Sequence, residues 1–364
     1  MPHLTWTRLS ALALSQDTAL QTDWDRLNAA GGNLPFMSSA AVLAALQFFG
    51  SGDESLLAGQ SNGQNAVMLL VSKVGRFQWQ TFQPSQLPLG AWVAEAGLHI
   101  DDLASSLQRR GPLGLCLSLS ITQIDPLIAP RRADTPHNRH DDYIATAWVD
   151  IKGSFDDYWA ARGKNLRQNM RKQRNKLQTE GVAAEMRVWR NAADMPSAIA
   201  RYGELEGRSW KAQEGTAIRP DNDQGRFYTT LFTKAADQGE AAVYEYLFDG
   251  KTVASNLCLR RASTLVILKT TYDESIKAYS PAFLLNEELT QMLFVEQQIL
   301  RLEYFGKVME WHTRWTDNSR TVYHLTSFRH SLVKQLAHAI ASRKARSIQA
   351  EPSTQDAPPA SPVT

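Results

Sequence analysis

Four side chains in the second half of the sequence could exchange a proton with a reacting molecule. They are the carboxylates of Glu206 and Asp273, the phenol of Tyr272 and the imidazole of His312. A carboxylate or neutral imidazole can take a proton from an attacking amine or hydroxyl, and a phenol or imidazolium can return one to a leaving group. Each residue also has a structural interpretation: a solvated helix carboxylate, a polar strand end, a packed tyrosine and a buried aromatic corner.

Glu206 is our first choice of base, because Trp210 lies one helical turn further along the same predicted helix face. Trp210 could form a wall of an acceptor groove, and Lys211 could bind an anion. Trp315, three residues after His312, is a further candidate for substrate contact. Large aromatic side chains belong to hydrophobic cores more often than to binding sites, so both interpretations of the tryptophans stay open.

The stretch "LVILKTTYDESIKAYSPAFLLNEEL" predicts a strand that is followed by a helix beginning at Ser280-Pro281. Serine is a favoured N-cap, and proline suits the first helical position because no N–H is required there. The amides that a helix start leaves without partners bind phosphate groups well. The simplest alternative is a capped helix with no ligand.

The strongest electrostatic feature is a basic segment with no acid before Glu180. Its cations are Arg162, Lys164, Arg167, Arg171, Lys172, Arg174 and Lys176. Such a run is usually a solvated helix face. Arg167, Arg171 and Arg174 share one face, and the run could instead bind the phosphates of a nucleotide-linked or lipid-linked acceptor, for which Arg167 and Arg171 are the candidate contacts. Binding of nucleic acid, including a tRNA acceptor stem, is less favoured because the segment has no interleaved aromatic residues.

The segment "HNRHDD" combines two histidines with two aspartates. His137 and Asp142 have the spacing found in glycerolipid acyltransferases, and the four side chains could also bind a metal. We favour a solvated linker, because the segment is charged, and we predict no metal site.

Bulk composition limits the class of protein. The chain has 364 residues with a net charge of +2, and its two cysteines, Cys116 and Cys258, lack metal-ligand spacing. No signal peptide or membrane-spanning stretch is evident, so we expect a cytoplasmic protein for which peripheral membrane contact is possible. The oligomeric state stays open.

Alternating strand and helix patterns predict a mixed α/β fold with mostly antiparallel sheets flanked by helices. Turn residues separate the strands, among them Asp249-Gly250, and the basic helix is expected to break near Gly163. We predict an N-terminal domain over residues 1–135, a second domain over 136–344 and a disordered tail over 345–364, because the tail is rich in Pro, Ser and Ala.

The order of several motifs resembles the GNAT-type acyltransferases of the CelD/BcsL group, which are related to the FemAB peptidyltransferases. The family's E-x-x-S-W-K and G-x-A patterns match Glu206, Ser209, Trp210, Lys211, Gly215 and Ala217. Its A-Y-D-E and S-P-G-x-x-L patterns match Thr271, Tyr272, Asp273, Glu274, Ser280, Pro281, Ala282 and Leu285. The resemblance covers about residues 20–330.

The resemblance implies two tandem GNAT-like domains, the second of which holds acetyl-CoA or another acyl-CoA as donor. The donor's pantetheine would pair with the central strand at Leu268, Lys269 and Thr270. Its pyrophosphate would lie on the helix start at Ser280, Pro281, Ala282, Phe283 and Leu284. Three positions depart from the family: Ala282 replaces a glycine, His312 a lysine and Thr271 an alanine.

The function expected from these features is the transfer of an acyl group to an amine or hydroxyl, with a cell-envelope polysaccharide as a candidate acceptor. Two alternatives stay open. One is Fem-like transfer of an aminoacyl group from charged tRNA. The other is a non-catalytic GNAT fold that binds an anionic polymer or a protein partner.

Overall fold

The computed structural model describes residues 4–208 and 217–349. Thirteen strands in these residues form one sheet. The strands are β1 (Thr5–Ser10), β2 (Ser55–Ser61), β3 (Gln64–Gly75), β4 (Gln78–Thr81), β5 (Trp92–Ala94), β6 (Ser118–Ile124), β7 (Asn138–Asp150), β8 (Ala184–Trp189), β9 (Ala241–Phe248), β10 (Lys251–Arg261), β11 (Thr264–Tyr272), β12 (Arg301–Tyr304) and β13 (Ser319–Phe328).

The same residues contain eleven α-helices, which flank the sheet. They are α1 (Leu12–Gln16), α2 (Thr18–Ala30), α3 (Ser39–Phe49), α4 (Ile100–Arg110), α5 (Phe155–Ala160), α6 (Lys164–Thr179), α7 (Met195–Glu206), α8 (Asp223–Asp237), α9 (Pro281–Glu296), α10 (Glu310–Thr313) and α11 (Ser331–Gln349). The basic helix is interrupted as predicted, because α5 ends before Gly163 and Gly163 is the N-cap of α6.

The strand order is β1-β2-β3-β4-β6-β13-β7-β12-β11-β10-β9-β8, with β5 paired to β3. All pairs are antiparallel except β4 with β6 and β11 with β12. The prediction of a mixed α/β fold with a mostly antiparallel sheet is therefore confirmed. The predicted tight turn at Asp249-Gly250 joins β9 to β10, and both residues have positive φ angles, 48° and 77°, as a two-residue hairpin of this type requires.

Helices cover both faces of the sheet. Helices α3, α7 and α8 pack in one large core cluster, where Phe49 of α3 meets Phe227 of α8 at 5.2 Å between ring centroids. Helices α6 and α9 pack on a second cluster, through Met170 and Leu289 among others. The two faces of β11 are therefore covered by different helices, one by α7 and α8 and the other by α9.

The prediction that "HNRHDD" is a solvated linker is wrong. Asn138 begins β7, which pairs along its length with β13, and the side chain of His140 is buried. The last strand in the described part of the chain, β13, lies between β6 and β7. The domain boundary at residue 135 stays a prediction.

A buried ion-pair network connects the two halves of the chain. The Arg320 guanidinium on β13 donates to both oxygens of Asp125, at 2.8 and 2.7 Å, and to Glu303 of β12 at 2.9 Å. All three residues are less than 9% exposed. A planar guanidinium matches a carboxylate in this two-bond arrangement, so the network fixes the register of β12 and β13 beside the first half of the sheet.

Candidate functional site

Strands β11 and β12 separate part-way along their length. Parallel pairing joins Thr264–Ile267 to Arg301–Tyr304 and ends with Ile267 opposite Tyr304. In the part of the chain that the structure describes, no strand pairs with Leu268–Tyr272 on that side. The backbone groups of this edge are consequently available to an extended ligand, since a strand edge left open by its neighbour can pair with one.

A β-bulge lies at the point of separation. On the other side of β11, Cys258 pairs with Ile267 while Leu257 pairs with Lys269, so Leu268 is an extra residue. Leu268 packs against the cluster under α7 and α8, and Lys269 reaches Glu206 on that same face. The bulge thereby places Thr270 opposite Asn256, with both residues lining the α9 side of the sheet.

The start of α9 differs in detail from the predicted cap. Ser280 has a left-handed backbone conformation, with φ 53° and ψ 48°, and its side chain does not cap the helix. Its carbonyl accepts the N–H groups of Phe283 and Leu284 at 3.0 and 3.1 Å. Pro281 has no N–H, so among the described residues only the Ala282 N–H of this turn lacks a partner.

A cavity of about 400 Å³ opens between the end of β11 and the start of α9. The predicted donor-site residues that line it are Thr270, Ser280, Pro281, Ala282 and Phe283, together with Tyr272 and Trp315 from the other predicted groups. Three predicted donor-site residues do not line it: Leu284 is buried in the core, and Leu268 and Lys269 face the opposite side of the sheet.

Two buried polar atoms in the cavity wall lack hydrogen-bond partners among the described residues. They are Oδ1 of Asn256, a residue 3% exposed, and Nε1 of Trp315, a residue that is fully buried. A buried polar group without a partner costs about 1–3 kcal/mol, and such groups are rare in folded proteins. One atom accepts and the other donates, so the cavity wall is suited to a ligand that offers both kinds of group.

Aromatic side chains surround the polar atoms. The Trp315 ring contacts those of Phe283 and Trp159, with centroids 5.8 and 5.9 Å apart. The carbonyl of Trp315 accepts hydrogen bonds from Tyr158 and Arg162, at 2.8 and 2.9 Å. These contacts hold the indole in place, so its unpartnered N–H keeps one direction.

A second wall of the cavity comes from the residues where β12 and α9 face each other. Tyr304 and Asn286 are both buried, and the Tyr304 hydroxyl lies 3.3 Å from each end of the Asn286 carboxamide. Burial raises the pKa of Tyr304, so its phenol is neutral at physiological pH. Sequence reasoning missed Asn256, Asn286 and Tyr304, although an asparagine in the middle of an apolar strand such as "VASNLCL" is a signal that could have found the first of them.

A basic groove lies beside the cavity. The groove is lined by Trp159 of α5, by Lys164, Arg167, Gln168, Arg171, Arg174 and Asn175 of α6, and by Glu287 of α9. Among the described residues, no carboxylate forms an ion pair with Lys164, Arg167 or Arg171, whereas Arg174 binds Glu287 and Glu288. The Asn169 amide lies 3.4 Å from the Ser280 hydroxyl, so the groove adjoins the start of α9. The structure thus brings the predicted Arg167 and Arg171 close to the cavity.

Glu206 lies on the far face of β11. It is fully buried; its Oε2 accepts the Ile218 N–H at 2.8 Å, and its Oε1 lies 3.4 Å from Lys269 Nζ. Burial raises the pKa of Tyr202 nearby, and the charge of Glu206 raises it further. Glu206 does not line the cavity. Trp210 and Lys211 lie outside the described residues.

His312 occupies a buried aromatic corner. Its ring stacks on Trp311 at 3.6 Å and meets the edge of Tyr304 at 5.1 Å, while Nδ1 accepts the Met309 N–H. Burial lowers the pKa of His312 to about 4. The imidazole is therefore uncharged at physiological pH.

The remaining acid–base candidate, Asp273, is buried at the end of β11. Its Oδ1 accepts the N–H of Ser275 at 3.0 Å and also the Ser275 hydroxyl, which begins a 3-10 helix over Glu274–Tyr279. Asp273 does not line the cavity, whereas its neighbours Tyr272 and Glu274 do. The geometry assigns Asp273 a part in shaping the turn between β11 and α9.

The histidines of "HNRHDD" serve the fold. The two ring nitrogens of His140 lie 3.0 Å from Asp101 and 3.0 Å from Asp134. Burial acts to raise the pKa of Asp134, but hydrogen bonds with His140 and the charge of Lys334 lower it below its usual value. No group of three or more metal-binding side chains suited to an ion occurs within residues 4–208 and 217–349.

Comparison with known protein families gives one match. Residues 164–311 match the family described as the acetyltransferase (GNAT) domain. This range includes α6, α7 with Glu206 as its last residue, the strands β9 to β12, and α9. No curated protein matches the sequence.

Three solved structures share the fold at low sequence identity. FemX is 9% identical with a TM-score of 0.55, covering 87% of this chain and 98% of its own. A conserved protein of unknown function from Bacteroides thetaiotaomicron is 10% identical with a TM-score of 0.55, covering 90% and 100%. The C-terminal domain of an Agrobacterium fabrum protein provisionally named a lysylphosphatidylglycerol synthetase is 15% identical with a TM-score of 0.52, covering 82% and 91%.

These likenesses and the family match support a GNAT-type fold with a structural relation to FemX. The finer grouping with CelD/BcsL stays a prediction.

Proposed function

We propose that this protein is an acyltransferase that moves an acyl group, such as acetyl, from acyl-CoA to an amine or hydroxyl. The observation that carries the proposal is the cavity where β11 leaves β12, which contains an unpartnered acceptor on Asn256 and an unpartnered donor on Trp315. An open strand edge and a free amide at Ala282 border the same cavity.

The chemistry of the donor fits this cavity. A pantetheine arm is extended and carries amide groups, which can pair with the backbone of Leu268–Tyr272 as an added strand would. Its amides can also meet the orphaned atoms of Asn256 and Trp315. The diphosphate would lie at the helix start, where the Ala282 N–H and the helix dipole favour an anion, and Lys277 in the cavity lining adds a positive charge.

The reaction would proceed by direct attack. The acceptor's nitrogen or oxygen bonds to the thioester carbonyl carbon, its proton passes to a base, and the carbon–sulfur bond breaks to release the thiolate of CoA. We assign the base to Glu206 because of the resemblance to the family; it lies on the α7 side of β11 and does not line the cavity, so the acceptor would have to approach from that side of the sheet. The Tyr272 phenol, in the cavity lining, is the proposed donor of a proton to the thiolate.

The two cysteines do not supply a covalent route. Cys258 is buried in β10, and burial raises the pKa of its thiol well above the usual range. Burial also raises the pKa of the Cys116 thiol, to about 11. Neither is a thiolate near neutral pH, which favours a complex of both substrates over an acyl-enzyme.

The acceptor class rests on the resemblance to the CelD/BcsL group, which suggests a cell-envelope saccharide modified in the cytoplasm. The basic groove of Lys164, Arg167 and Arg171 supports an acceptor that carries phosphate, as a nucleotide-linked or lipid-linked sugar would.

Calorimetric titration with acetyl-CoA and with CoA tests the proposal. We expect micromolar binding of both, with affinity reduced by Trp315→Phe, which keeps the aromatic ring and removes the N–H. Absence of binding at millimolar ligand would overturn it.

The basic groove also favours a second candidate function, the transfer of an aminoacyl group from charged tRNA. Within the described part of the chain, three cations of the groove form no ion pair with a carboxylate, and only the Ala282 amide of the α9 start lacks a partner and could bind a diphosphate. Binding to tRNA that weakens steeply with salt, together with no binding of CoA, would favour this candidate.

A further inference from the structure

The last described helix, α11, exposes a line of large apolar side chains. Leu332, Leu336 and Ile340 are 68%, 64% and 67% exposed. They are spaced four residues apart, so they lie along one side of the helix. Isolated exposed leucines are ordinary, but three in succession on one helix face form a surface that usually has a partner.

The opposite side of α11 is fastened to the protein. Lys334 Nζ donates to the carbonyls of Thr135 and Asn138, both at 2.8 Å, and lies 3.4 Å from Asp134. The neighbouring Val333 and Ala337 are half-buried. The helix is thus held by one side while its apolar side faces outward.

The charge of α11 indicates which kind of partner could cover its apolar face. Residues 331–349 contain Lys334, Arg343, Lys344 and Arg346 and no aspartate or glutamate. A helix that joins an apolar face to a net positive charge is typical of segments that lie in the interface of an anionic membrane. Anionic lipids attract basic residues that lie near the membrane surface.

A further exposed apolar residue is close in sequence to a contact made just before the helix. The carbonyl of Leu117 accepts the Arg329 N–H at 3.0 Å, two residues before α11 begins. Leu115, two residues from Leu117, is 59% exposed.

Other occupants fit less well. A second copy of α11 would bring two segments of the same positive charge together, which costs energy. The following residues 350–364 contain one large apolar side chain, Val363, so they could cover little of the surface.

We propose that α11 docks the protein on an anionic lipid surface, with Leu332, Leu336 and Ile340 inserted at the level of the headgroups and the net positive charge of residues 341–349 attracting the segment to that surface. Within residues 4–208 and 217–349, no helix is long and apolar enough to cross a bilayer. The proposed attachment is therefore interfacial, and it does not depend on the reaction at the cavity.

Sedimentation with vesicles tests this with the full chain. We expect binding to vesicles of equal parts phosphatidylcholine and phosphatidylglycerol, and weaker binding to phosphatidylcholine alone or in high salt. The double variant Leu332→Gln with Leu336→Gln should bind the anionic vesicles at least about tenfold more weakly, because glutamine gains much less than leucine from leaving water. The matched control is Leu12→Gln, which replaces an exposed leucine, 60% accessible, on a different helix.

Two results would overturn the proposal. One is equal vesicle binding by the double variant, the control and the unchanged chain, or binding by none of them. The other is a dimer by light scattering that the double variant converts to monomer, because the apolar face would then be covered by a second copy. Circular dichroism of both variants checks that they fold.

Discussion

Ile267 is the last residue of β11 that pairs with β12, and its partner there is Tyr304. Beyond this pair the strands part, and both residues line the cavity that begins between them. Three features lie together where the pairing ends: an open strand edge, a wall of buried polar groups and the start of a helix. The proposed chemistry requires all three features, and each can be tested separately.

Replacing Asn256 should separate stability from binding. Asn256→Leu removes a buried acceptor that has no partner, so we expect the free energy of unfolding to stay the same or rise by about 1 kcal/mol. The donor would lose a hydrogen bond, and its Kd should rise about tenfold. Chemical denaturation and calorimetry with CoA measure the two effects.

Asn286→Leu is the matched control, because Asn286 is equally buried in the same cavity but hydrogen-bonded to Tyr304. This variant should lower stability by about 1–3 kcal/mol, since it leaves the tyrosine hydroxyl without a partner. If Asn256→Leu destabilised the protein as strongly, Asn256 would serve the fold and not a ligand.

Glu206→Gln should impair turnover while sparing the donor. Glutamine can still accept the Ile218 N–H, but it cannot take a proton from the acceptor. Because a positioned base contributes about a hundredfold or more, we expect kcat to fall by at least that factor while the Kd of acetyl-CoA changes about twofold or less. Glu204→Gln, on the exposed side of α7, is the control. Unchanged turnover would mean that Glu206 is not the base and serves the fold through its contact with Lys269.

Charge removal in the basic groove should weaken phosphate binding. For the double variant Arg167→Gln with Arg171→Gln, we expect the Kd of tripolyphosphate to rise about tenfold, because two cations of the groove are lost. Lys172→Gln, on the same helix but outside the groove lining, should bind like the unchanged protein. Equal affinity in all three proteins would identify the run as a solubilising face.

Acid should destabilise the protein in part through His312. Its folded pKa, about 4, lies below the usual 6.5, so the unfolded chain binds more protons between these values and stability falls as pH falls through this window. Between pH 7 and 4.5 the loss from this residue is about 2 kcal/mol. Denaturation at both pH values should show a smaller loss in His312→Phe than in the unchanged protein. Equal losses would mean that the imidazole is accessible to protons in the folded state.

The local features of the site could be read from the sequence, but their spatial combination could not. Ser280-Pro281 marked the helix start because proline restricts the backbone locally, and the Asp249-Gly250 turn is equally local. The separation of β11 from β12 depends on where β12 ends, and Asn256 reaches the cavity only through its pairing with Thr270. These are tertiary relationships that no local pattern records.

The beginning of β7 and the whole of β13 were not recognised as strands from the sequence. The charged residues of "HNRHDD" suggested a linker, yet Asp101 and Asp134 bind His140 from both sides and so permit its burial in β7. The strand β13 was overlooked because "SRTVYHLTSF" does not alternate polar and apolar residues: the polar Arg320 and Ser327 are buried in it. The sequence correctly placed the helix start at Ser280, but the predicted capping interaction is wrong. Ser280 adopts a left-handed conformation, and its carbonyl, not its hydroxyl, accepts the N–H groups of the first helical turn.

The most direct test of the central claim is a crystal structure of the protein grown with CoA. We predict the pantetheine arm beside Leu268–Tyr272, in hydrogen-bond contact with Asn256 or Trp315, and the diphosphate at the Ala282 amide. Density for CoA elsewhere on the protein, or an empty cavity in crystals saturated with CoA, would contradict the account.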